Sequence, residues 1–376
     1  MKMTAAVMVQ QGVPRPYAET RPLAIEIVDL EGPGPGEVLV EIAGAGLCHS
    51  DLSAIEGNRP RAVPTVVGHE AAGIVREVGA GVTRVGVDDH AVMLFVASCG
   101  RCELCTAGRP NLCQSSWEAR AKGTLQSGAR RLSLNGKPLH HYSGISCFAE
   151  FAVVSERSLM PLPKALPLLD AAILGCAVIT GAGAVYNTAG DVRGKACAII
   201  GLGGVGLSAL LAAVEAGAAT VIAIDLSDAK LMLATKLGAT HVFRGDDPEC
   251  ANKVRELTRG GVDVAFELAG SIPAMTLSYA LGRRGSLTVC GGLPGATSTF
   301  QLPQAALVAD ERVIKGSYMG SSVPSRDIPK LVDLVLDGAL PIAKLRSDVL
   351  GFDRLNAGFD KLADGHGVRQ VLKCKA

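Results

Sequence analysis

The chain has 376 residues, 48% of them hydrophobic, and 37 Lys and Arg against 36 Asp and Glu leave a formal net charge of +1. That length points to two domains with sizeable cores. The balanced charge excludes a nucleic-acid surface or an anionic-membrane patch, both of which need clustered basic residues. The N-terminal stretch MKMTAAVMVQQGVPRPY lacks the apolar run and small-residue cleavage site of a signal peptide, so a cytoplasmic location is expected. In that compartment eleven cysteines read as metal ligands or catalytic groups rather than disulfides.

The first part of the chain reads as short strands and turns. GPGPGE (Gly32 to Glu37) is a turn before the strand EVLVEIAGAG (Glu37 to Gly46), and AAGIVREVG (Ala71 to Gly79) is a second strand with β-branched alternation. Between and after them lie GLCHSDL (Gly46 to Leu52) and GHEAAG (Gly68 to Gly73), and much later LGCAVITG (Leu174 to Gly181). Cys48, His69 and Cys176 together offer two sulfurs and one nitrogen, the donor set of a catalytic zinc whose fourth position stays open to water or substrate. Taken singly, such a cysteine is more often a core residue and such a histidine more often a satisfied polar group than a ligand, so the combination carries the reading. Asp51 is the candidate to fix the tautomer of His69. Glu70, next to a ligand, either faces the ion from behind or is a solvated carboxylate.

CGRCELCTAGRPNLC follows, with Cys99, Cys102, Cys105 and Cys113 spaced to reach the four corners of a tetrahedron at about 2.3 Å from zinc. Four thiolates could also hold an iron–sulfur cluster, or no metal at all. A site with no open position is structural rather than catalytic. Residues 116–142 are polar and weakly periodic and read as a long surface loop.

After about residue 175 strands alternate with helices, as in βαβ units around a parallel sheet. ACAII leads into GLGGVG, the run Gly201, Leu202, Gly203, Gly204, Val205 and Gly206, and then a helix. The uncharged segment Ala196 to Val214 is long enough for a bilayer, but its glycines should break it into strand, turn and helix, so no membrane span is expected. Gly201, Gly203 and Gly206 follow a strand and open a helix, the setting of a dinucleotide fingerprint whose pyrophosphate sits at the helix N-terminus. The next strand, TVIAID, ends at Asp225, where a carboxylate receives ribose hydroxyls and repels a 2′-phosphate, which favours NAD over NADP. SDAKLMLATKLGA, VDVAFELAG, Ile272 to Leu281 and SLTVCGG continue the alternation. DIPKLVDLVLDG is an amphipathic helix, and VRQVLKC closes the chain as a strand.

Taken in order, GLCHSD, GHEAAG, the four-cysteine lobe, GCAVITG and GLGGVG with Asp225 resemble the zinc-dependent medium-chain alcohol dehydrogenases over nearly the whole chain. The resemblance implies an α/β architecture. A GroES-like β-rich catalytic domain would span residues 1–177 and 320–376, and a Rossmann doubly wound parallel-sheet NAD domain residues 178–319, with the active site in the cleft. It implies two zinc ions per subunit: a catalytic one on Cys48, His69 and Cys176, and a structural one on Cys99, Cys102, Cys105 and Cys113. Ser50 matches the hydroxyl that starts the proton relay from the substrate. His49 and Arg369 match pyrophosphate contacts, and Asp225 and Lys230 match adenosine-ribose contacts. Ser53 departs from the histidine many relatives carry there as the last relay member.

Residues 116–142 resemble the longer family members, which implies a homodimer. Phe95, Trp117, Tyr142, Leu293 and Tyr318 fall at substrate-pocket positions, and their aromatic content implies an aromatic or bulky apolar primary alcohol. Where glutathione-dependent formaldehyde dehydrogenases carry an acid and an arginine at the pocket mouth, this chain has Arg59 and Trp117, which argues against that adduct. Adduct oxidation, or iminium or enal reduction, are the alternative chemistries within the family.

Overall fold

The computed structural model describes residues 1–374, which divide into two compact units. The first comprises Met1–Cys176, Val323–Asp333 and the chain from Arg346 onward; the second comprises Ala177–Ser322 and Leu334–Leu345. The expected division, with one return at residue 320, differs in the segment Leu334–Leu345. The last three residues of the helix Pro324–Leu336 and the turn Ile342–Leu345 go with the second unit before the chain returns for its last two strands.

The first unit is built on two mostly antiparallel sheets. In the larger, the ten-residue strand Glu37–Gly46 pairs with Ala71–Val78, with Phe151–Ser155 and with the C-terminal strand Arg369–Lys373. In the other, Lys2–Met8 lies between Leu23–Leu30 and Thr65–Val66. Their inner faces share a core that includes Met3, Val7, Val28, Leu30, Leu39, Val66 and Val153. Pairing of Val371 with Gly46 sets Arg369 directly beside Leu47 and Cys48.

Residues 116–142 are not a loop. Gln114–Lys122 forms a helix that ends at Gly123 in the left-handed region. Leu132–Leu134 and Lys137–Pro138 then form a hairpin across Asn135 and Gly136, both at positive φ, and His140–His141 pairs with Thr65–Val66. An Asn-Gly turn of this kind matches the twist of its flanking strands. Those strands are only three and two residues long, too short to give a readable alternation.

In the second unit six parallel strands take the order His241–Arg244, Thr220–Asp225, Ala196–Ile200, Val262–Glu267, Gly282–Cys290, Val313–Gly316. The chain starts in the middle, winds one way, then returns to wind the other, which is the doubly wound order with its switch point beside Ala196–Ile200. ACAII and TVIAID are nearly continuous apolar runs because helices cover both faces of such a sheet. The helix Gly204–Glu215 is apolar almost all round and mostly buried. Ala196 to Val214 is thus strand, turn and helix, as its glycines imply. One other run among the described residues, Leu168–Ala189, is long and apolar enough to cross a membrane, and its most apolar stretch is mostly buried inside the protein, as in a core helix.

Candidate active site and metal centres

In the first unit the chain leaves strand Glu37–Gly46 and turns into the helix His49–Ile55, with Cys48 at its N-cap. The third helical residue, Asp51, reaches back so that its Oδ2 accepts the Cys48 N–H at 3.2 Å. Its other oxygen, Oδ1, lies 2.8 Å from His69 Nδ1. One fully buried carboxylate therefore ties two candidate ligands together and holds the His69 proton on Nδ1, which leaves the Nε2 lone pair free for a metal. His69 follows Gly68, whose φ of +94° and whose closeness to Phe148 (2.7 Å from an added Cβ) admit no side chain. Cys176 sits in the π-helical turn Leu174–Val178, a widened turn of the sort that recurs at functional sites.

These segments bring Cys48, His69 and Cys176 together, each buried, with their donor atoms all within 4.8 Å of one another and His69 Nε2 3.4 Å from Cys176 Sγ. Tetrahedral zinc would set such donors about 3.5–3.8 Å apart, so the trio fits the ion. The thiol chemistry fits too. The Cys176 hydrogen bond, with the nearby Arg369 guanidinium, pulls Cys48 well below the usual thiol range against the effect of burial. A thiolate is the form a metal binds.

Glu70 is fully buried, not solvated, and pairs with Arg369 at 3.0 Å. Burial pushes its carboxyl up to about 7, and the Arg369 charge opposes that rise. Arg369 also donates to the Leu47 carbonyl at 2.7 Å and is only 4% exposed. The Arg369 guanidinium thus stands behind the trio, with Glu70 and the backbone just before Cys48. His49 stands exposed on the first turn of its helix, and Ser50 follows it.

Two aromatic rings wall the trio. Phe95 packs edge-on to His69 at 5.6 Å, and Tyr142 lies 6.0 Å from it and donates its hydroxyl to the Ser50 carbonyl at 3.0 Å. Trp117, expected beside them, is 64% exposed on the helix Gln114–Lys122, because that segment is a surface helix whose Arg120 stacks on it at 5.6 Å. Leu293, 54% exposed, and Tyr318 belong to the second unit. Sequence reasoning missed Arg120, whose guanidinium lies 5.5 Å over the Phe95 ring, and Arg61, 5.8 Å over Tyr142. No motif singles out either arginine.

Cys99, Cys102, Cys105 and Cys113 also converge, their sulfurs within 4.8 Å of one another. The Cys99 N–H donates to Cys113 Sγ at 3.2 Å, and the Cys102 N–H to Cys99 Sγ at 3.3 Å. Backbone N–H groups of Cys105 and Gln114 lower the Cys102 thiol to about 6, whereas burial lifts Cys105 to about 12. Four sulfurs with backbone donors aimed at them fit a closed tetrahedral zinc site.

In the second unit Gly201, at φ +91°, and Gly203 turn the chain into the helix Gly204–Glu215, whose N-terminus no side chain caps. A Cβ on Gly203 would meet no protein atom within 4 Å. The protein's own packing therefore does not demand glycine there, and the open space with uncapped N–H groups of Gly204, Val205 and Gly206 fits a pyrophosphate. Asp225 ends its strand with Oδ2 on the Leu202 N–H at 2.6 Å and Oδ1 on the Ser227 N–H at 2.9 Å, so it also braces the glycine turn. Lys230, half-buried, lies in the first turn of the next helix.

Two family models match: an alcohol dehydrogenase GroES-like domain at residues 34–164 and a zinc-binding dehydrogenase at residues 204–337. An S-(hydroxymethyl)glutathione dehydrogenase of Photobacterium damsela subsp. piscicida is 36% identical, over 99% of this chain and 100% of its own. The crystal structure of benzyl alcohol dehydrogenase from Acinetobacter calcoaceticus superposes with a TM-score of 0.93 at 30% identity, covering 100% of both chains. A structure from Sinorhizobium meliloti 1021 bound to NADP gives a TM-score of 0.78 at 26% identity, over 99% of both chains. With the two cysteine-rich donor sets and the glycine turn in their expected order, these likenesses identify the chain as an oxidoreductase of the zinc-dependent medium-chain alcohol dehydrogenase family.

Proposed function

We propose that the protein is an NAD-dependent zinc alcohol dehydrogenase that interconverts a primary alcohol carrying an aromatic or bulky apolar group and its aldehyde, with a catalytic and a structural zinc per chain. The observation that carries this reading is the buried Cys48, His69 and Cys176 trio, oriented through Asp51. When bound there, zinc supplies a Lewis acid that polarises a substrate oxygen and lowers the pKa of its hydroxyl. Cys48, His69 and Cys176 hold the ion, and Asp51 keeps the His69 ring in register. Ser50 Oγ takes the hydroxyl proton from the substrate. With Ser53 in place of histidine, that proton leaves through water or His49. Phe95 and Tyr142 exclude water from one side and present apolar faces to the substrate. The turn Gly201–Gly206 seats the cofactor pyrophosphate, and Asp225 with Lys230 receives the adenosine ribose. The test is NADH formation from a panel of aliphatic and benzylic alcohols. Turnover should be fastest with benzylic alcohols, and no NADH from any alcohol would overturn the reading.

Asp225 supports NAD because its carboxylate repels a 2′-phosphate. Asp225→Gly should raise the NADP-to-NAD ratio of kcat/KM by about tenfold, the effect of relieving one close charge repulsion. An unchanged ratio would remove Asp225 from cofactor choice.

We also propose a homodimer located in the cytoplasm. The edge strand Val313–Gly316 leaves all four residues exposed, Val313 and Ile314 among them, and an unpaired apolar edge invites the same strand of a second copy. Light scattering should give about twice the chain mass of 38.7 kDa, and Ile314→Glu should halve it. A parent that scatters as a single chain would contradict the dimer. All eleven cysteines are free, as a reducing compartment requires.

A further inference from the structure

In the second unit the strand order sets an arginine beside Asp225. Thr220–Asp225 pairs with His241–Arg244, the outermost strand of its sheet, with Asp225 and Arg244 in register and the Gly245 N–H on the Asp225 carbonyl at 3.1 Å. Both residues therefore stand at the carboxyl ends of their strands, the edge on which open α/β sheets bind nucleotides. A carboxylate at that edge suits a free ribose 2′-hydroxyl, whereas a nearby arginine accommodates a 2′-phosphate. One strand pair of this chain carries both groups.

The guanidinium is already occupied. Arg244 Nε donates to Asp246 Oδ1 at 2.9 Å and Nη2 to Asp246 Oδ2 at 2.8 Å, while Nη1 donates to Asp228 Oδ1 at 2.8 Å. The two-pronged grip of Asp246 is the geometry in which a guanidinium would otherwise meet a phosphate. Asp228 lies in the first turn of the helix Asp228–Lys236, just past Asp225 in the chain. The next acid, Asp247, is drawn instead to Lys253 at 2.6 Å. Arg244, Asp228 and Asp246 are all exposed, and exposed pairs add little to stability, so the needs of the fold do not account for two acids on one arginine. They do act on an incoming anion. A 2′-phosphate would have to displace both carboxylates and would then face Asp225, Asp228 and Asp246 together, against Arg244 and Lys230.

We propose that Arg244 is a latent acceptor for a ribose 2′-phosphate, held out of use by Asp228 and Asp246, and that these two carboxylates set the choice of NAD over NADP together with Asp225. This rests on the reading that Asp225 receives the adenosine ribose, and it deepens that reading: Asp225 repels the phosphate, and the two other acids withhold the group that would bind it. Asp228 and Asp246 are specificity-determining residues and take no part in proton or hydride movement.

The test is fluorescence titration with NADH and with NADPH, at low ionic strength because salt screens exposed charges. It compares the parent, a chain carrying Asp228→Asn and Asp246→Asn, and the same chain with Arg244→Gln added. Asparagine keeps the shape and removes the charge. The double substitution should tighten NADPH by about tenfold, as a hydrogen bond to a charged group supplies, and leave NADH within about twofold. Adding Arg244→Gln should abolish the gain. A gain that survives Arg244→Gln overturns the proposal, because the phosphate then answers to Lys230 or to relieved repulsion alone. No gain in the double variant overturns it too, as does a lowered melting temperature with both affinities unchanged, which would make the pairs structural. A parent that binds NADPH more tightly than NADH contradicts the NAD reading, and an Arg244-dependent gain in the double variant would still uphold the latent site. A parent that binds neither nucleotide overturns both.

Discussion

Cys48→Ser should reduce alcohol oxidation by about 10³-fold or more, because it removes one donor from the set that holds the Lewis acid, and that acid supplies several kcal/mol of transition-state stabilisation. The Asp51 bracket would persist, since it grips the backbone N–H of residue 48 rather than its sulfur. The glycine turn belongs to the second unit, so NADH binding by fluorescence titration should stay within about twofold of the parent. Loss of turnover with retained cofactor binding is the expected pair of results. A serine variant that oxidised alcohols at the parental rate would show that Cys48 holds no catalytic ion.

Cys102→Ser should act on stability instead. The segment from Cys99 to Cys113 contains only a four-residue helix and one 3-10 turn, and neither buries enough apolar surface to hold itself in shape. Its order depends on the four sulfurs, and losing a metal ligand removes binding free energy that is folding free energy. The melting temperature should fall by roughly 10 °C, or the variant should aggregate, given about 2–4 °C per kcal/mol for a unit of this size. Melting at the parental temperature would mean that the lobe needs no metal.

The elements most legible in the sequence were those whose chemistry is local. Cys99 to Cys113 carries its whole donor set in fifteen residues, and Gly201 to Gly206 sits between a strand and a helix that both read cleanly. The trio Cys48, His69 and Cys176 is scattered over the chain, and spacing alone cannot bring those residues together. They were legible only through the order of their flanking motifs. The helix Gln114–Lys122 was missed because its exposed face and few apolar residues give no amphipathic period. The hairpin at Asn135 and Gly136 had its turn signal, but its strands were too short to confirm it.

Charged side chains were the least legible. Arg369 matches a cofactor contact by position, and its ion pair with Glu70, set by the pairing of its strand with Gly44–Gly46, has no signal in the sequence. Glu70 left two readings open, and only tertiary burial decides between them. Arg61 and Arg120 lie in segments that look like ordinary polar surface. Their place over Tyr142 and Phe95 follows from how two distant parts of the first unit pack.

The central claim is that Cys48, His69 and Cys176 hold a metal ion separate from the one in the four-cysteine lobe. Metal content of the purified parent and of Cys48→Ser, measured side by side by plasma mass spectrometry, tests it most directly. The account predicts about two zinc ions per chain in the parent and about one in the variant. Equal metal content in the two proteins, or a parent that is metal-free and stays inert after zinc is added, would contradict it.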